Sequence, residues 1–336
     1  MSDTGTPPVK PLEHYWQSVN GVALLLLPLS WLFSLLAWLR RLAYRHGLFE
    51  TVRLPVPVIV VGNITVGGAG KTPLVIWLVE FCRALGLRPG VIARGYGAAP
   101  GQWPRRVDGA SDPAGSGDEP LLIARRTGAP VWVDPDRPRA ARALLAAQKC
   151  DILISDDGMQ HYALGRDLEI AVSDAARGLG NGWRLPAGPL REAPSRLESV
   201  DLRVSNGPAR PGEHTMRLAP LAIRSVREPA RTRGWDSLTG TALHAVAGIG
   251  NPERFFAALR ARGLEVIAHP LPDHHRFRAA DIAFEEDGLT VLMTEKDAVK
   301  CAAIAGEWHW YVEVAAELDE AFRARLEQLI RGLNNG

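Results

Sequence analysis

The amino-acid sequence predicts an α/β fold. A mainly parallel sheet has helices on both faces, a smaller second α/β unit follows it, and an N-terminal hydrophobic helix precedes it. Three observations predict this. Short β-branched runs alternate with amphipathic helical stretches, the pattern of parallel strands joined by crossover helices. One strand runs into a glycine-rich turn and then a Lys-Thr pair at the head of an apolar helix, in Val58-Ile-Val-Val-Gly-Asn-Ile-Thr-Val-Gly-Gly-Ala-Gly-Lys-Thr-Pro73. Finally, the stretch from Gly21 to Leu39 carries no charge.

The chain of 336 residues suits two domains. Its 46% hydrophobic and 23% charged residues are those of an ordinary globular protein. A net charge of +2 gives no global field for nucleic acid, so no nucleic-acid partner is expected. No protein partner is predicted either. Cys82, Cys150 and Cys301 are scattered and show no Cys-x-x-Cys spacing. They indicate neither a disulfide frame nor a zinc site and suit a reducing, cytosolic compartment.

Residues 1–50 form the expected N-terminal segment. The run Gly21–Leu39 is close to the roughly 18 apolar residues that a membrane-spanning helix needs. Arg40, Arg41, Arg45 and Arg53 follow it. They would keep the C-terminal side in the cytoplasm and favour anionic headgroups. A long preceding segment and the lack of a small-residue cleavage site argue against a secretory leader. Pro28 would kink the helix. A span, a helix lying on the bilayer and a helix packed on the protein are the three readings. Membrane contact is expected.

The core, residues 51–210, begins with a strand at Val56–Val61 and a helix at Pro73–Leu85 that stops at Gly86. Pro73 suits a first helical turn, where an N–H is not needed. A strand at Pro89–Ala93 enters Arg94-Gly-Tyr-Gly97. Ala98–Pro120 is long and rich in Gly, Pro, Ser and Asp, as a functional loop or lid is. Helices follow at Glu119–Thr127 and Pro138–Gln148, with strands at Val131–Val133, Asp151–Ser155 and Leu168–Val172. From about Asn206 the chain turns Pro- and Arg-rich, and 211–240 is expected as a linker with a strand at His214–Ile223. The second unit, 241–336, carries strands at Ala242–Ala247, Glu265–His269, Thr290–Met293 and Trp308–Val312. Its helices are expected at Pro252–Arg262, Ala279–Glu286 and Glu317–Leu333.

The glycine-rich turn is the strongest chemical signal. Thr65, Val66, Gly67, Gly68, Ala69, Gly70, Lys71 and Thr72 occupy a P-loop NTPase-type position between strand and helix. Glycines let backbone N–H groups converge on phosphate oxygens, and the new helix turns its positive end to them. Lys71 reaches β- and γ-phosphates, and the Thr72 hydroxyl can hold Mg²⁺. A strict version of the motif has Gly where Thr65 stands. Asp156 and Asp157 follow a hydrophobic strand, where a Mg²⁺-ordering carboxylate belongs, although Asp-Asp-Gly is also good turn chemistry. Asp118 and Glu119 end the long loop, either as a helix cap or as a carboxylate that takes a hydroxyl proton. His274 and His275 lie in a polar loop without zinc-binding spacing. Arg191 could stabilise phosphate charge and Glu192 add to a metal shell. Thr294-Glu-Lys-Asp297 has Lys and Asp adjacent, the wrong spacing for a guanine reader.

Together these stretches resemble one family, the tetraacyldisaccharide 4′-kinases of lipid A biosynthesis in Gram-negative bacteria. They are GNITVGGAGKTP (62–73), ARGYG (93–97), GDEP (117–120), SDDGMQH (155–161), LPAGPLREAP (185–194), PDHHRF (272–277) and MTEKDAVK (293–300), in order along most of the chain. Thr65 in the loop is itself a mark of that family. The resemblance implies ATP as donor and Mg²⁺ as cofactor. It implies a lipid disaccharide as acceptor and an inner-membrane location on the cytoplasmic face. It also implies Asp118 as general base with His274 as its partner, and Asp156, Asp157 and Glu192 around Mg²⁺. The site would lie in a cleft between the two α/β domains.

Overall fold

The computed structural model describes residues 12–284 and 287–334. Residues 1–11 of the expected N-terminal segment, Glu285 and Glu286 of the expected helix Ala279–Glu286, and the last two residues of the 241–336 unit lie outside the described residues.

The uncharged N-terminal run does not form one helix. After a 3₁₀ turn come α1 (Gly21–Leu25) and α2 (Leu27–Arg45), with Leu26 between them and Pro28 in the first turn of α2. No helix among the described residues is long and apolar enough to cross a membrane. Proline lacks the N–H that would continue α1, which accounts for the break.

The core follows as β1 (Val58–Gly62), α3 (Lys71–Ala84), β2 (Pro89–Ala93), β3 (Arg105–Val107), α4 (Pro113–Ser116), α5 (Asp118–Thr127) and β4 (Val131–Val133). Then come α6 (Arg137–Ala147), β5 (Ile152–Ser155), β6 (Leu168–Asp174), β7 (Leu202–Asn206), β8 (His214–Ser225) and β9 (Thr232–Arg233). The remaining elements are β10 (Ala242–Ala247), α7 (Pro252–Arg260), β11 (Glu265–Pro270), β12 (Thr290–Thr294), α8 (Glu295–Cys301), β13 (His309–Leu318) and α9 (Glu320–Asn334).

All the strands described belong to one sheet, in the order β11-β10-β12-β13-β8-β7-β6-β1-β5-β2-β4-β3, with β9 on β8. The fold is the expected α/β class with a mostly parallel sheet. β8 pairs parallel with β7 and antiparallel with β13, so the stretch expected as a linker supplies the strand at which the two units join. β1 lies between β5 and β6 and is fully buried. Strands buried on both faces read as unbroken apolar runs, which is why Val58–Val61 was legible. Apolar cores cover both faces: Leu74 and Leu78 of α3 lie in one, Ala140 and Leu144 of α6 in the other. Helix α9 returns to the first core, where Phe322 stands 5.7 Å from Trp77 between ring centroids.

In the second unit one expected helix fails to form and one helix forms that was not expected. Within the described part of Ala279–Glu286 only a 3₁₀ turn forms, Ala279–Asp281. There the Asp281 carboxylate accepts from the Arg278 N–H and pairs with His275 rather than lying along a helix face. Helix α8 was not expected. Its signal is Thr294-x-x-Asp297, in which the Thr294 hydroxyl accepts from the Asp297 N–H at 3.2 Å.

Candidate active site

The glycine-rich turn lies at the carboxyl end of β1, beside the ends of β5 and β6, where open α/β sheets collect ligands. Gly67 and Gly70 take φ of +99° and +93°, a region costly for any residue with a Cβ. A Cβ on Gly70 would also stand 2.6 Å from Asn206 Nδ2. No side chain caps α3, so its first N–H groups remain for an anion. The first half of the turn is tied elsewhere. The Val66 N–H donates to Pro189 O at 2.8 Å, Thr65 bridges Leu190, and the Arg191 N–H donates to Ile64 O at 2.7 Å. Thr65 and Val66 thus join the turn to the 185–194 loop, while Gly67 to Thr72 form the open part.

Asp157 follows β5 with a left-handed φ of 48°. Its carboxylate faces Lys71 Nζ at 3.3 Å and Arg191 Nη1 at 3.1 Å. Burial raises the Asp157 pKa, but the two cations outweigh burial and hold it at about 2. Asp156 is buried, and desolvation together with the nearby Glu119 carboxylate pushes it up to about 7. Its Oδ1 is buried without a hydrogen-bond partner. A buried carboxylate oxygen without a partner, acted on by the nearby Lys71 charge, is what a cation would satisfy. Among the described residues no three His, Cys, Asp or Glu are arranged to hold a metal ion. Glu192 lines the same region but is engaged: it accepts from Gln160 Nε2 at 2.8 Å and from the Tyr162 hydroxyl, and lies 3.5 Å from Arg196 Nε.

Asp118 opens α5 after Gly117, whose φ is +84° and whose Cβ, if present, would lie 2.7 Å from Tyr96 O. His274 comes from the loop after β11 and also takes a left-handed φ, 58°. The structure brings the two together: His274 Nδ1 is 3.7 Å from Asp118 Oδ2. The imidazole packs on Tyr96 with ring centroids 4.9 Å apart. Next to this pair, Lys296 Nζ meets Glu119 Oε1 at 3.0 Å and Asp273 Oδ1 at 3.6 Å. Burial favours a neutral Glu119, yet Lys296 and Lys71 lower its pKa. Sequence reasoning passed over Lys296 because it was tested only as a guanine reader. Its signal is its position just past the carboxyl end of β12.

Two cavities meet at these residues. One, of about 690 Å³, is walled by Phe33, Leu36, Trp38, Arg40 and Arg41 of α2 and by Tyr96, Asp118, Asp156, Asp157, Arg191 and His274. The other, of about 280 Å³, holds Gly68 to Thr72 on one side and Trp235, Asn251, Arg254, Phe255 and Lys296 on the other. Glu119 lines both. The arrangement offers a phosphate cradle on one side and a part-apolar, arginine-lined chamber on the other, with a carboxylate-imidazole pair in the lining of the latter.

Comparison with known proteins agrees. A family model described as tetraacyldisaccharide-1-P 4′-kinase matches residues 22–331. A tetraacyldisaccharide 4′-kinase of Azoarcus sp. strain BH72 is 53% identical, covering 98% of this chain and 97% of the relative. That of Nitrosococcus oceani is 51% identical, covering 95% and 94%. The crystal structure of Aquifex aeolicus LpxK in complex with ATP superposes with a TM-score of 0.78 at 26% identity, covering 92% of this chain and 99% of that one.

Proposed function

Because the chain belongs to the tetraacyldisaccharide 4′-kinase family and is an ATP-dependent kinase of lipid A biosynthesis, we propose that its two cavities divide the reaction between donor and acceptor. It phosphorylates the 4′-hydroxyl of tetraacyldisaccharide 1-phosphate, giving lipid IVA. ATP places its phosphates on Gly67, Gly68, Ala69, Gly70, Lys71 and Thr72, from the smaller cavity. The disaccharide enters the larger one, with its acyl chains toward α2. Phosphoryl transfer asks for positioning and charge neutralisation more than for covalent chemistry. Lys71 and Arg191 spread the charge of the transferring group. Thr72 and Asp156 would hold Mg²⁺, with Asp157 beside it, and the ion supplies further charge neutralisation when bound. Asp118 takes the proton of the attacking hydroxyl, and His274 holds the carboxylate in place.

The observation that carries this reading is the 3.7 Å approach of His274 to Asp118 in the lining of the chamber that α2 walls. Exposed side chains of the same helix and of α1 support membrane contact. Leu25, Leu29, Trp31, Leu32 and Leu35 are exposed on α1 and α2. An exposed apolar stripe followed by Arg40, Arg41 and Arg45 suits a helix lying in an anionic leaflet. The enzyme then works on the cytoplasmic face of the inner membrane, where its acceptor resides. Transfer of label from γ-labelled ATP to the lipid tests the base. Asp118→Ala is expected to lower kcat about a hundredfold or more while leaving the KM for ATP unchanged. A variant as fast as wild type would remove Asp118 from that role.

A further inference from the structure

Helix α8 opens with two charged residues that reach opposite ends of α5. Lys296 meets Glu119 in the first turn of α5, and Glu295 meets Arg126 in the last, with Arg126 Nη1 at 2.8 and 2.7 Å from the two carboxylate oxygens. Two turns of helix, roughly 10 Å, separate the anchor points. Arg126 does more than pair with Glu295. Its Nε lies 3.1 Å from Glu313 Oε1 of β13, and Glu313 is shared in turn with Arg224 of β8. Its Nη1 also donates to Val314 O at 3.2 Å. Val314 sits at a register shift in β13 opposite Pro220, which has no N–H to offer it. Glu295 and Glu313 are buried. The cluster therefore sets two buried carboxylates against two guanidinium groups, Arg126 with 17% and Arg224 with 32% of the side chain exposed.

We propose that this buried joint of Arg126, Glu295 and Glu313 is a positioning device for the reaction: it fixes the far end of α5 to the second α/β unit, so that Asp118 at the near end is held against His274. The proposal rests on the reading of Asp118 as base. Three features support it. Asp118 belongs to the P-loop core and His274 to the loop after β11, so their approach depends on how α5 sits against the second unit. A planar guanidinium binding two carboxylates and a carbonyl fixes direction as well as distance, which a lysine could not do. The two carboxylates are buried and have little solvent to exchange with, so they hold Arg126 in one geometry where a fully exposed pair would sample several.

The test is kinetic. Arg126→Met/Glu295→Gln leaves the Glu313–Arg224 pair intact and no buried charge unpaired. It is expected to keep the melting midpoint and the KM for ATP close to wild type while kcat falls about tenfold or more, since small misplacements are costly in rate. In an Asp118→Ala background the same two substitutions should cost less than about twofold, because the residue they position is gone. Arg126→Lys, which keeps the charge and loses the fork, gives the same pattern and serves if the double variant does not fold. A kcat near wild type, or an equal loss with and without Asp118, overturns the joint. If Asp118→Ala itself turned over like wild type, the base assignment would fall, and the joint with it.

Discussion

At the residue scale the site is built from groups whose surroundings pull their chemistry apart. Asp157 and Asp156 are neighbours in sequence, yet cations hold one at about 2 while burial lifts the other to about 7. Asp157 and His274 both sit at left-handed φ, a cost that non-glycine residues accept mainly at functional positions. The Asp156 shift has a consequence for stability. A carboxyl whose pKa rises on folding favours the folded state below its unfolded value, near 4. That contribution disappears as pH climbs through about 7. The ligand-free protein should therefore lose melting temperature between about pH 4 and 7 relative to Asp156→Asn, which lacks the titration. Parallel melting curves for the two proteins would reveal no pH-dependent difference if Asp156 were ionised throughout. The doublet was legible in the sequence because it ends an apolar strand. The Lys296–Glu119 contact was not, since it joins residues 177 positions apart and local pattern carries no such information.

At the scale of elements, α2 carries two roles that the sequence could not separate. Phe33, Leu36 and Trp38 wall the larger cavity, with Leu36 and Trp38 also exposed, whereas Trp31 and Leu32 of α2 and Leu25 of α1 are exposed and line neither cavity described above. Full burial of a large apolar side chain contributes about 1.5–3 kcal/mol. Leu25→Ser/Trp31→Ser/Leu32→Ser should accordingly weaken cosedimentation with anionic vesicles by more than about tenfold. Turnover of a detergent-dispersed acceptor should stay near wild type. Unchanged sedimentation would assign lipid contact to another surface. The apolar length of the run was plain from sequence. Its division at Leu26 was not, because Pro28 is compatible with both a kinked span and a fresh helix start. Helix α8 was missed for a related reason: seven residues give too short a period to read, and only the Thr294 cap marks it.

At the scale of the whole molecule, a single sheet carries both halves of the site. β1 presents the phosphate loop, and β12 presents Lys296. The loop after β11 presents His274, and β8 joins the two groups of strands by pairing with β7 and β13. The parallel core around β1 was readable because buried strands and their crossover helices have strong periods. The central place of β8 was not, because a Pro- and Arg-rich stretch with intermediate exposure reads as a connection. The claim that matters most is that Asp118 and His274, drawn from different parts of this sheet, act as one unit. A kinetic cycle on lipid phosphorylation measures that directly. His274→Ala is expected to lower kcat at least about tenfold in the wild-type protein and less than about threefold when Asp118 is already alanine. Equal losses in both backgrounds would mean that the two residues act independently, and would contradict the account.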